Sequence, residues 1–290
     1  MVSQEREDAA TISGDHELFA GWREAGVDAT KPSIARVYDY WLGGDHNFVV
    51  DRELAEAMAT LDPWIPAACK ANRAFLGRAV RFLAKQGVRQ FLDVGSGIPT
   101  AGNVHEVAQR EVPASKVVYA DRDPGAVAEG RALLAGNENT AVIQADIREP
   151  DHILSHPEVG RLIDFGEPVG LVLVAILHFV MDADDPHAIV TRFRDVAAPG
   201  SYLAVSHVTG QGNPELTAAA ERIYNNRGAD GQARSREDIA AFFGGWEMTE
   251  PGLVYAPLWR PDQPEAVPRN PEQLWFLAGT ARKPAPTGPC

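Results

Sequence analysis

Between Phe91 and Asp146 three short apolar segments each run into an acidic residue at the point where a strand would end. Phe91-Leu-Asp-Val-Gly-Ser-Gly97 carries Asp93, Val117-Val-Tyr-Ala-Asp121 closes on Asp121, and Val142-Ile-Gln-Ala-Asp146-Ile147 closes on Asp146. Open parallel α/β sheets bind their ligands at the carboxyl ends of such strands. The glycines after Asp93 let the backbone turn tightly and approach a bulky ligand, and Asp121, 24 residues beyond Gly97, can chelate ribose hydroxyls with its two acceptor oxygens. The chain is thereby held to an α/β fold with a nucleoside-binding edge.

Glycine spacing decides which nucleoside. A pyrophosphate needs G-x-G-x-x-G, whose third glycine lets helix and strand pack closely beneath the phosphates. Here Gly95 and Gly97 are followed by Thr100, so the phosphate half of the pattern is missing. Asp146-Ile147 suits adenine: the carboxylate can accept from the exocyclic amine, and Ile147 can cover a ring face. The expected cofactor is S-adenosylmethionine. Two rivals stand beside that reading, an NAD-dependent oxidoreductase, which shares the sheet and Asp121, and a module that binds the cofactor without catalysis.

Composition narrows the partners. Of 290 residues, 45% are hydrophobic and 23% charged, ordinary values for a globular chain. With 27 basic against 40 acidic residues the formal charge is −13, which argues against nucleic acid, since binding that polyanion relies on Lys and Arg. A small neutral or cationic substrate fits better. Cys69 and Cys290 offer neither a disulfide framework nor zinc spacing, and His105-Glu106 lacks the second histidine of H-E-x-x-H. No metal site is expected. Met1-Val-Ser-Gln-Glu-Arg-Glu-Asp has no apolar core, and no run approaches about 18 apolar residues, so neither a signal peptide nor a membrane span is expected and the cytoplasm is the simplest location.

Along the chain, residues 1–14 and 283–290 read as tails around one domain over 15–282, with a cap over 15–66 and a core over 67–282. Phe75, Leu76, Ala79, Val80 and Leu83 mark a helix over 68–85 closed by Gly87. Prolines near helix starts predict helices from Pro99 to about 110, from Pro124 to about 136, from Pro186 to about 198 and from Pro214 to about 224. The continuous apolar run over 171–177 reads as a doubly buried strand, and 201–206 as the fifth. Ser235-Arg-Glu-Asp238 is a capping box for a helix to about 243, before strand-like segments over 253–259 and 274–281. The sum is a seven-stranded, mostly parallel sheet with helices on both faces and an antiparallel edge.

Lys31-Pro-Ser-Ile-Ala-Arg-Val-Tyr-Asp-Tyr-Trp-Leu-Gly-Gly-Asp-His-Asn-Phe-Val-Val-Asp-Arg52, Ala71-Asn-Arg-Ala-Phe75, Gly97-Ile-Pro-Thr100, Asn103-Val-His-Glu-Val107 and Gly200-Ser-Tyr-Leu-Ala204 are more specific than composition. Together they resemble the actinobacterial S-adenosyl methyltransferase family, long filed as a domain of unknown function, over roughly residues 15–282. The resemblance implies a Rossmann-like class I methyltransferase with an N-terminal helical cap, and it implies no particular acceptor. Ser96 stands where the family usually carries threonine and keeps the hydroxyl.

The expected cofactor residues follow. Asp93, Gly95, Ser96, Gly97, Asp121, Asp146 and Ile147 come from the first three strand ends, Arg122 from beside Asp121, Ala175-Ile176 from the end of strand four, and Tyr38, Gly43 and Gly44 from the cap. Arg73 is suited to the methionine carboxylate by its guanidinium fork, and Asp93 to the ammonium. Against these stand plainer roles: aromatic packing for the cap, the solvent face of a helix for Arg73, turn organisation for Asp93. His178, at the exit of strand four, is the candidate general base, with capping of the strand end as its competing role. His207 is the weaker candidate.

Overall fold

The five apolar segments form strands buried on both faces, as a parallel sheet covered by helices requires. They are β1 (Gln90–Val94), β2 (Lys116–Asp121), β3 (Thr140–Gln144), β4 (Gly170–Val174) and β5 (Tyr202–Val208). The computed structural model describes residues 20–99, 102–227 and 230–285. The expected tail over 1–14, residues 286–290 of the other tail, and Thr100 lie outside them.

Helices fill the intervals: α1 (Ala20–Glu24), α2 (Ile34–Leu42), α3 (Val49–Leu61), α4 (Ile65–Lys85), α5 (Val104–Glu111), α6 (Pro124–Leu133), α7 (Pro150–Leu154), α8 (Pro157–Leu162), α9 (Pro186–Val196), α10 (Pro214–Asn226) and α11 (Arg236–Ala241). Short strands β6 (Glu247–Met248) and β7 (Val254–Tyr255) precede β8 (Phe276–Arg282). The sheet order is β3-β2-β1-β4-β5-β8-β6, parallel from β3 to β5, with β8 antiparallel to β5. This is the Rossmann-like α/β arrangement. β6 and β7 both pair with β8, opposite β5, so the seventh rank expected from the sequence is filled by two short strands in series.

Period-two alternation divides the core between the faces. Leu92, Val118, Ile143, Leu171 and Leu203 pack with α7, α8 and α9 and with Phe242 and Phe243, which follow α11. Phe91, Val117, Val142, Val172 and Tyr202 pack with α4, α5 and α6. Each such side chain, fully buried, contributes about 1.5–3 kcal/mol by leaving water.

Three local expectations are corrected. Pro99 does not open the next helix; α5 begins at Val104, where Asn103 and Glu106 form a reciprocal capping box. β4 stops at Val174, because Ala175 turns into the left-handed region at φ 56. Of the strand expected over 253–259 only Val254–Tyr255 pairs, and Ala256–Leu258 is a 3-10 turn around Pro257, which has no N–H to give a ladder.

The cap is continuous with the core. Val37, Trp41, Leu54 and Met58 from α2 and α3 share one cluster with Phe75 on α4 and Phe276 on β8. Its shape is set by a buried ion pair, Arg36 Nε to Asp51 Oδ2 at 2.7 Å. Both charges are satisfied further: Arg36 donates to Lys31 O, and Asp51 accepts from the backbone N–H groups of Ser33 and Phe48. A buried pair so completed escapes the penalty of an uncompensated charge. Among the described residues no helix is long and apolar enough to cross a membrane.

Candidate active site

The carboxyl ends of the parallel strands open into one cleft of about 450 Å³, walled from above by the cap. Its acidic end is built from backbone turns. Gly95 leaves β1 at φ 77, and a Cβ there would stand 2.4 Å from Ile176 Cγ1, so this turn and the exit of β4 can meet only at a glycine. Gly97, at φ 65, has open space where a Cβ would be, which leaves its backbone bare toward the cleft.

Asp121 accepts from Gly97 N–H and Asp123 N–H, both at 2.8 Å, one on each oxygen. Each oxygen retains a lone pair for a ligand hydroxyl. Burial raises its carboxyl to about 6 against the lowering effect of those N–H groups. Asp93, behind it, is raised by burial to about 7, with the Arg73 cation pulling down and Asp121 pushing up. Two carboxylates are thus held dehydrated at the edge of the cleft, a setting that favours a cation or a donor-rich ligand beside them.

The cap reaches this end through Ser33. Its hydroxyl donates to Asp123, whose other oxygen caps α6 by accepting from Gly125 and Ala126. Pro32, Ser33, Ile34 and Ala35 therefore line the cleft beside Asp121 and Arg122. At the far margin Asp146 and Ile147 line it too. Asp146 is engaged: Arg148 donates to both of its oxygens, and the Arg122 guanidinium lies 3.9 Å away. Burial pushes the Asp146 carboxyl up, but its hydrogen bonds from Arg148 prevail and leave it below the usual value. Arg148 was not anticipated from the sequence.

At the centre a buried relay joins cap, helix and sheet. Ala175 N–H donates to Ser206 Oγ at 3.0 Å, Ser206 Oγ donates to Asn72 Oδ1 at 2.5 Å, Asn72 Nδ2 donates to Tyr38 Oη at 2.9 Å, and Tyr38 Oη donates to Cys69 O at 3.0 Å. The strained residue at the end of β4 is therefore held by β5, α4 and α2 together. Tyr38 and Arg73 line the cleft, as do Ala175 and Ile176. Burial drives the Tyr38 phenol far above its ordinary pKa, with the neighbouring Cys69 adding to the rise, so it stays a donor.

Gly43 and Gly44 are not among the residues lining the cleft, and the fold gives each another reason. Gly43 is the left-handed C-cap of α2 at φ 89. A Cβ on Gly44 would sit 2.0 Å from Asp39 Oδ1; the Asp39 carboxylate needs that space while its other oxygen takes the N–H of His46 and the amide of Asn47.

Beyond β4 the cleft becomes an apolar chamber. Trp41, Met58, Phe179, Tyr224, Trp275 and Phe276 line it, drawn from α2, α3, α10 and the start of β8. His178 lines it as well, 8% exposed, tilted by 47° against Phe179 with ring centroids 4.1 Å apart and edge-on to Phe276 at 5.9 Å. Its Nδ1 is sealed and has no hydrogen-bond partner. Burial pushes its pKa well below the ordinary histidine value, reinforced by His207 and the Arg234 cation, so the ring is neutral.

His207 is removed as a candidate base. Its Nδ1 lies 2.7 Å from Val208 O and its Nε2 lies 2.9 Å from Arg234 Nη1. Those partners fix Nδ1–H as donor and Nε2 as acceptor, leaving no free lone pair. Burial holds its pKa at about 3. Arg234, also missed from the sequence, donates to Leu177 O, Val180 O and Asp182 as well, and so clamps the segment carrying His178.

The S-adenosyl methyltransferase family model matches residues 20–284. The chain belongs to the S-adenosyl methyltransferase family. A candidate methyltransferase from Thermobifida fusca is 45% identical, covering 90% of this chain and 98% of its own, with a TM-score of 0.84. A DUF574 family protein from Streptomyces avermitilis is 39% identical over 89% of this chain and 99% of its own, with a TM-score of 0.85. An O-methyltransferase family protein from Burkholderia thailandensis, 11% identical over 95% of this chain and 71% of its own, shares the fold at a TM-score of 0.50. Among curated proteins none matches. The protein is a class I methyltransferase that uses S-adenosylmethionine, and the oxidoreductase alternative falls.

Proposed function

We propose that the acidic end of the cleft holds S-adenosylmethionine and that the chamber beyond β4 holds a small-molecule methyl acceptor. Asp121 takes the ribose hydroxyls on its remaining lone pairs, Asp93 and Arg73 take the ammonium and carboxylate of the amino-acid end, and Asp146 with Ile147 frames the adenine. The observation that carries this reading is the continuity of the cleft, which runs from dehydrated carboxylates into an apolar chamber without a wall between them. The donor set fits the cofactor: acids face its hydroxyls and its ammonium, an arginine faces its carboxylate, and bare backbone at Gly97 admits its bulk. Bound there, S-adenosylmethionine supplies a methyl group already activated on a sulfonium.

For their part the protein's residues bind, orient and exclude water. The relay through Tyr38, Asn72 and Ser206 fixes the β4 exit, and the cap shields the chamber, so alignment supplies much of the acceleration. His178 takes the proton if the acceptor must lose one. We further infer a cytoplasmic protein without nucleic-acid partners, from its charge and cysteine usage.

Calorimetric titration with S-adenosylhomocysteine tests the reading. Asp121→Ala should weaken binding by about 1.5–3 kcal/mol through lost charge-assisted hydrogen bonds. Unchanged affinity would take Asp121 out of the site.

A further inference from the structure

The chamber beyond β4 has walls many of whose polar groups are spent on the protein itself. Trp41 Nε1 donates to Ala55 O and Trp275 Nε1 to Asp62 Oδ2, so both indoles offer only ring faces. Thr217 Oγ1 donates to Asn213 O, one oxygen of the Glu221 carboxylate takes Ala233 N–H, and Gln232 is tied by both amide atoms to Asp182. Phe179 stands edge-on to Tyr224 at 6.1 Å. Among the described residues, the arginines that line the cleft are Arg73, Arg122 and Arg148, which belong to its acidic end. Arg234, the cation nearest His178, is committed to backbone carbonyls, His207 and Asp182.

A carboxylate or phosphate on the acceptor would therefore be dehydrated in the chamber with no cation among the described residues to meet it, which is strongly unfavourable. A flat aromatic body would meet ring faces and edges from several directions. Two polar groups there have no partner among the described residues: the Tyr224 hydroxyl, and the imidazole of His178, which lines the chamber more than nine-tenths buried with Nδ1 sealed, so that Nε2 is the nitrogen left for a ligand. A hydroxyl both donates and accepts, and so satisfies either tautomer of that ring.

We propose, building on the reading of the cleft given above, that the methyl acceptor is an uncharged, planar aromatic molecule whose hydroxyl meets His178, and that the product is its methyl ether. The hydroxyl oxygen's lone pair forms the bond to the methyl carbon, the carbon–sulfur bonding pair stays on sulfur, and the hydroxyl proton passes to His178 and then to solvent. The products are the ether, S-adenosylhomocysteine and one proton. A hydroxyl oxygen becomes far more acidic as the new bond forms, so even a weakly basic imidazole suffices. The cation of Arg234 then favours the proton's departure.

The test begins with S-adenosylhomocysteine binding, then titrates the loaded protein with 2-naphthol, 2-naphthylamine, 2-naphthoate and cyclohexanol. Calorimetry reads binding, and mass spectrometry reads methylated product when S-adenosylmethionine is supplied. The proposal expects 2-naphthol to bind at least about tenfold more tightly than the carboxylate or the aliphatic alcohol, and to give 2-methoxynaphthalene. Trp275→Leu should weaken naphthol binding about tenfold with S-adenosylhomocysteine affinity unchanged. His178→Asn should lower turnover by about 10²–10⁴-fold, the range for loss of a general base, with little change in either affinity. Preference for the naphthoate or the amine, no naphthol binding to protein that does bind S-adenosylhomocysteine, or full turnover in His178→Asn would each overturn it. Failure of S-adenosylhomocysteine itself to bind would remove the underlying reading, and this proposal with it.

Discussion

The two halves of the cleft are made in opposite ways. Under β1, β2 and β3 the site is polar and local: Asp93 with Gly95 and Gly97, Asp121 with Asp123, and Asp146 with Arg148 each sit within a few residues of a strand end, and most of their hydrogen bonds go to nearby backbone. Beyond β4 it is apolar and assembled at a distance: the indole of Trp275 bonds to Asp62, 213 residues away, and Asn72 bonds to Ser206 across 134. Parallel topology alone brings strand ends together, so the first half survives as a motif. The second exists only once the cap and α10 have packed.

The sharpest way to break that contrast is at the seam where the halves touch. Gly95→Ala drives a Cβ into Ile176 at a left-handed φ. It should cost about 2–4 kcal/mol of stability, from overpacking and backbone strain together, and abolish cofactor binding. Thermal or urea unfolding measures it, and the double variant with Ile176→Ala should recover the overpacking part. A loss below 1 kcal/mol, on the order of an ordinary surface change, would show the seam to be loose.

Next in size is the relay. Asn72→Ala leaves Ser206 and Tyr38 buried with one partner fewer, at a cost of about 1–3 kcal/mol. Because the relay holds Ala175 and the cap together, cofactor affinity should fall along with stability, whereas a purely apolar seam would lose stability alone.

The smallest effect separates the halves by charge. Asp93, raised to about 7 by burial, holds its proton more tightly folded than unfolded. Its contribution to the stability of the ligand-free protein is therefore present at low pH and declines as pH rises from about 4 to about 7. A ligand ammonium favours the carboxylate, so cofactor affinity should move oppositely, rising about tenfold between pH 6 and 8 as that group ionises. Calorimetry across that interval should give a slope that Asp93→Asn flattens, while naphthol binding in the chamber stays level.

The same contrast explains what the sequence disclosed. β1 to β5, α4, α6, α9 and α10 were legible because periodicity and proline placement are local. β6, two residues long, carries no pattern, and of the strand-like run over 253–259 only the two residues of β7 pair, since β8 alone holds both. Gly43-Gly44 looked like a ligand cradle, yet Asp39, a residue with no evident partner in the sequence, takes the space over Gly44. Arg148 and Arg234 gave no signal, as their acceptors are fixed only in the folded chain. Asn72 did give one: it falls on the apolar stripe of Cys69 and Leu76, and a lone amide on a buried helix face must find partners.

A crystal structure with S-adenosylhomocysteine tests the central claim most directly. The account predicts the adenosyl group across the ends of β1, β2 and β3, its ribose on Asp121, and its sulfur opening into the chamber toward His178. A ligand seated elsewhere, or a sulfur walled off from the chamber by Ala175 and Tyr38, would contradict it and leave a cofactor-binding module in place of an enzyme with an acceptor site.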